Sequence, residues 1–91
     1  MDKLHVLEPM YDLYIFDDEE NTQVYIAQTL ANVLDMPPAI AVKLIRETEK
    51  KGRSLVDSCV KEEAITKRDL LISFGLTSEI CKVDISDLMK P

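Results

Sequence analysis

Asp17-Asp18-Glu19-Glu20 sets four carboxylates side by side, directly behind the apolar run Leu13-Tyr14-Ile15-Phe16. Carboxylates can hold calcium, cleave glycosides or receive a cationic amine, and the spacing separates these chemistries. An EF-hand loop needs spaced ligands, a central glycine and a terminal glutamate, and this run has none of them. A glycosidase pair has little to build on, since no aromatic-lined cleft is suggested and the chain lacks tryptophan. A purely structural role also accounts for acids here. Asn21 or Thr22 can cap the start of a helix, with Glu19 and Glu20 near the positive end of its dipole.

The remaining reactive residues do not assemble into a catalyst. The one histidine, His5, lies in a polar N-terminal tail, so a Cys-His or Ser-His dyad would have to recruit it from there. Cys59 and Cys81 read as buried structural thiols, on neighbouring strands. The two glycines both fall at helix ends, which leaves no phosphate-cradling loop. The chain is therefore expected to bind rather than catalyse, with no cofactor and no metal.

These residues must be positioned by a small scaffold. With 91 residues the chain makes one domain, burying roughly 60–65% of its unfolded surface. A hydrophobic share of 46% against 31% charged indicates a globular chain. The net charge of −6 argues against nucleic acid, whose phosphates call for clustered Lys and Arg. No run is long enough for a membrane span, and the N-terminus lacks the apolar core of a signal peptide. Two cysteines fit a reducing compartment, so the expectation is a cytoplasmic protein.

Residues 1–10 read as a short flexible tail, 11–86 as a single domain and 87–91 as a frayed end. Leu13 to Phe16 predicts a strand. Ile26, Leu30, Val33 and Leu34 then share one face of a helix beginning near Thr22. Pro37-Pro38 breaks that helix and starts a second one, which carries Ala41, Leu44, Ile45 and Thr48 on one face and ends at Gly52. Ser54 to Val60 predicts a second strand. Glu62 to Phe74 predicts a third helix, with Ala64, Lys67, Leu71 and Phe74 along one stripe. Glu79 to Ile85 predicts a third strand, with Cys81, Val83 and Ile85 on its inner side. The order β-α-α-β-α-β is that of an α+β sandwich, a three-stranded antiparallel sheet with three helices on one face.

Tyr11-Asp-Leu-Tyr-Ile-Phe-Asp-Asp-Glu-Glu-Asn21 resembles the opening of ClpS, the adaptor that hands N-degron substrates to the AAA+ unfoldases of the Clp protease. The likeness runs without a gap from Tyr11 to about Ile80. It is densest at Gly52, Leu55-Val56, Cys59, Glu62, Ala64, Thr66-Lys67 and Gly75-Leu76-Thr77-Ser78, the last most like the cyanobacterial and plastid branch. The resemblance implies the same β-α-α-β-α-β fold.

It also implies a pocket for a substrate's first residue, built here by Asp17, Asp18, Glu19, Asn21, Gln23, Ile45, Thr48 and Glu49. Asp18 matches the family pattern. Asp17 stands where the family has asparagine, Glu19 for aspartate, Asn21 for threonine, Gln23 and Ile45 for methionines, and Glu49 for histidine. Exchanging an amide and an imidazole for carboxylates makes the amine end of the pocket more anionic. Gln23 makes its wall more polar. These changes imply a different or more basic preferred terminus than Leu, Phe, Tyr or Trp. The alternative is a Clp-docking regulator whose degron pocket no longer functions.

Glu62, Thr66 and Lys67 match the start of the helix with which ClpS meets the N-terminal domain of the unfoldase. The implied partners are that domain and N-degron-bearing proteins, and the expected state is a monomer. A further alternative is the similarly folded C-terminal domain of the bacterial ribosomal stalk protein. That domain is rich in glycine, alanine and lysine, whereas this chain has two glycines and an acidic turn.

Overall fold

Leu13 and Ile15 are fully or almost fully buried, and the residues between and beside them are not. That alternation makes their strand the middle of the sheet. The computed structural model describes residues 9–83. In chain order it contains β1 (Met10–Phe16), α1 (Gln23–Val33), α2 (Pro38–Lys51), β2 (Arg53–Val60), α3 (Lys61–Ser73) and β3 (Ser78–Lys82). The strands form one antiparallel sheet in the order β2-β1-β3. Leu30 of α1, Ala41 and Ile45 of α2 and Leu71 of α3 pack with Leu13 and Ile15 into a single core. The predicted α+β sandwich is the architecture observed.

Local chemistry sets the boundaries. Thr22 caps α1, its Oγ1 accepting from the Tyr25 N–H at 3.1 Å. Pro38 occupies the first turn of α2, where its missing N–H is not needed. Gly52 ends that helix at φ 86°, a left-handed conformation that disfavours side chains, with Lys50 and Lys51 against the negative end of the dipole.

In β2 the register slips between Leu13 and Tyr14, which pair with Asp57 and Leu55 and leave Val56 as a bulge. Strict alternation would send Ser54 and Cys59 to opposite faces. The bulge brings both inside, where each is buried.

Several boundaries and faces differ from expectation. β1 opens at Met10, one residue before the predicted domain start. The α3 stripe is narrower than predicted. Ala64 and Leu71 are buried, Lys67 is half-buried in an ion pair, and Phe74 caps the helix at 46% exposure. β3 presents the opposite parity, because its pairing sets Ser78 against Ile15 and Ile80 against Leu13. Ser78 is accordingly buried and Ile80 joins the core, while Cys81 is exposed. Cys59 and Cys81 lie on strands separated by β1 rather than on neighbours. Residues 1–8 with His5, the predicted strand end at Asp84 and Ile85, and the predicted frayed end at 87–91 lie outside the described residues. Among the described residues no helix is long and apolar enough to cross a membrane.

Candidate functional site

The four acids follow β1 directly and lead into α1. Two backbone hydrogen bonds fix the end of β1 on both sides. Phe16 N–H donates to the Thr77 carbonyl at 3.1 Å, and Asp17 N–H donates to the Gly52 carbonyl at 2.9 Å. The turn is thereby tied to the loop before β3 and to the end of α2.

Within the turn, Asp18 is the organising residue. Its Oδ1 accepts from the backbone N–H groups of Glu20 at 2.8 Å and Asn21 at 3.3 Å, and its Oδ2 accepts from the Asn21 side-chain amide. The Asn21 amide, chiefly, holds the Asp18 carboxyl below its ordinary pKa; desolvation opposes it, and the two backbone donors add smaller lowering contributions. Asn21 Nδ2 also donates to the Gly75 carbonyl at 2.9 Å, and Tyr25 Oη donates to the Phe74 carbonyl at 2.5 Å. These two bonds fasten the start of α1 to the end of α3. The acids are tolerated because the Asp18 carboxylate is stabilised by N–H donors, while Asp17, Glu19 and Glu20 face solvent.

Behind the turn lies a small cavity of about 30 Å³. Of the eight residues predicted for the pocket, Asp17, Asp18, Asn21, Gln23, Ile45, Thr48 and Glu49 line it. Glu19 does not; it is exposed. Ile45 and Glu49, one helical turn apart, supply an apolar wall and an exposed carboxylate from α2. Thr48 has its hydroxyl engaged elsewhere. Its Oγ1 lies 2.7 Å from the Leu44 carbonyl and 2.8 Å from Ser54 Oγ, which is itself 3.0 Å from that carbonyl. The polar lining is therefore dominated by the carboxylates of Asp17, Asp18 and Glu49 with the amide of Gln23, and the floor is apolar.

Leu76 and Thr77 also line the cavity, and the sequence reading did not assign them to it. Their loop is held there by the Asn21–Gly75 bond, which joins residues 54 apart in sequence, and by the Phe16 N–H on the Thr77 carbonyl. Among the described residues no group of three or more His, Cys, Asp or Glu could hold a metal.

The second predicted surface begins α3. Glu62, Thr66 and Lys67 border one shallow surface depression together with Glu63. Thr66 Oγ1 donates to the Glu62 carbonyl at 2.9 Å, and Lys67 Nζ reaches Asp57 Oδ2 at 2.5 Å. The hydrogen bond to Asp57 is the main cause raising the Lys67 pKa, so this ammonium is fixed in place as well as charged.

A sequence model of the family described as ATP-dependent Clp protease adaptor protein ClpS matches residues 7–79. No curated protein matches the sequence. Among solved structures, the chain is similar to Agrobacterium tumefaciens ClpS2 bound to L-phenylalaninamide, with a TM-score of 0.74 at 18% identity. That likeness covers 82% of this chain and 98% of the other, and at this identity it speaks for the fold.

Proposed function

Since this chain belongs to the ClpS family of Clp protease adaptors, we propose that it docks through Glu62, Thr66 and Lys67 on the N-terminal domain of a Clp AAA+ unfoldase and receives a substrate's amino terminus at the acidic turn. On this reading the protein is a cytoplasmic monomer, and its substrates are proteins bearing N-degrons. The observation that carries the amino-terminus half is the convergence of Asp17, Asp18, Asn21, Gln23, Ile45, Thr48 and Glu49 on one cavity.

The chemistry favours an altered preference. A protonated α-amine is attracted by carboxylates, and three of them line this cavity. Asp18 already accepts from three donors, so Asp17 and Glu49 have the greater spare acceptor capacity. Gln23 and Ile45 replace the family's methionines with a polar and a branched wall, which holds large apolar first residues less well.

A second reading, a Clp-docking regulator that does not capture termini, rests on one observation. A cavity of about 30 Å³ holds about one water molecule and no leucine or phenylalanine side chain unless its walls move.

Short labelled peptides carrying each natural first residue, free or N-acetylated, separate the two. Saturable binding of free peptides that acetylation abolishes supports amino-terminus capture. Equal, negligible binding of both sets supports the regulator.

A further inference from the structure

Beside the small cavity runs a larger groove of about 300 Å³, lined by Gln23, Val24, Ala27, Val42, Ile45 and Arg46. It shares Gln23 and Ile45 with the cavity, so the two adjoin. Gln23, Val24 and Ala27 come from α1 and Val42, Ile45 and Arg46 from α2, so the groove lies between the two helices. Its floor is apolar and open to solvent, with Val24 66% and Val42 42% exposed.

The charges along this path have a direction. Asp17, Asp18 and Glu49 stand at the cavity end, and Arg46 is the one cation among the residues lining either space. Along α2 the step from Glu49 to Arg46 is about 4.5 Å and that from Glu49 to Val42 about 10.5 Å, at roughly 1.5 Å per residue. An extended peptide advances roughly 3.3 Å per residue. A chain whose amine rests at Asp17 and Glu49 therefore carries its second residue past Arg46 and its fourth past Val42.

We infer that the groove between α1 and α2 is a second recognition element for the same amino-terminal segment, selecting an acidic second residue that pairs with Arg46 and an apolar fourth residue that covers Val42 and Val24. This rests on the amino-terminus reading above. The argument for this occupant is charge complementarity: a positive terminus, a negative second residue and an apolar fourth one match the sequence of acids, Arg46 and valines along the groove.

The test uses the full chain and the best-binding free peptide of the first-residue series, remade with Asp, Ala or Lys at the second position. The inference predicts roughly two- to fivefold tighter binding for Asp than for Lys, the range of an exposed ion pair. Raising the salt concentration should shrink this difference, and Arg46→Glu should reverse the order. Val42→Asp should weaken the peptides with an apolar fourth residue most. If free peptides bind and acetylated ones do not, yet the second residue and Arg46→Glu make no difference, the groove inference fails while the amino-terminus reading stands. If no free peptide binds, both fail.

Discussion

The side-chain amide of Asn21 donates to the backbone carbonyl of Gly75 at 2.9 Å, and so joins the acidic turn to a loop 54 residues further along the chain. The same nitrogen holds the carboxylate of Asp18. One side chain thus both stabilises the Asp18 carboxylate and ties the turn to the loop that carries Leu76 and Thr77.

Replacing Asn21 with alanine removes both bonds. The expected cost is about 1 kcal/mol of folding stability, from solvent-accessible hydrogen bonds with one charged acceptor. The Asp18 pKa should rise toward its ordinary value near 3.8, as followed by carboxyl carbon NMR. The sign follows from the lowered folded-state value. Asp18 contributes stability above the unfolded-state pKa and loses it as the pH falls through the folded-state one. Denaturant melts should therefore show the wild type's advantage at neutral pH shrinking in acid. An advantage unchanged down to the acid limit would mean that the amide does not act through Asp18.

The two cysteines provide a test of the strand faces. Cys81 is exposed and Cys59 is buried, and burial chiefly, with the Asp57 carboxylate adding, pushes the Cys59 thiol up. A thiol reagent followed by mass spectrometry should modify Cys81 rapidly and Cys59 only as fast as the protein opens. Equal rates would contradict the parity of β3 or the burial of β2.

Much of this architecture is written in local chemistry. Pro38, Gly52 and Thr22 mark helix ends because each acts within its own turn, and all three do so here. The faces of β2 and β3 are a different matter. Whether Cys81 or Ile80 points inward depends on which residue Leu13 meets across the sheet, and the alternation of residues 79–85 alone fits either choice. The bulge at Val56 is likewise a property of pairing with β1. At the site, Asp17, Asp18, Ile45 and Glu49 are legible through the family resemblance and helical spacing. Leu76 and Thr77 are not, because long-range hydrogen bonds hold them there.

The exchanged pocket residues predict a gain of function. Asp17→Asn combined with Glu49→His restores the amide and imidazole of the family pattern. Adding Gln23→Met and Ile45→Met replaces stiff or polar walls with adaptable ones. The combined variant should bind Leu- or Phe-ended peptides at least about tenfold more tightly than the wild type, a change of about 1.4 kcal/mol. No gain, in a variant whose melting temperature is unchanged, would indicate that the pocket is closed rather than retuned.

The adaptor account is tested most directly by calorimetric titration of the full chain into the N-terminal domain of a Clp unfoldase from the same cell. Glu62→Ala and Lys67→Ala, singly and together, provide the comparison, with thermal melts alongside because Lys67 also pairs with Asp57. The account predicts saturable one-to-one binding that the double variant weakens by about tenfold or more without unfolding. Absence of binding at the highest reachable concentration, or binding that neither substitution affects, would contradict docking through the start of α3.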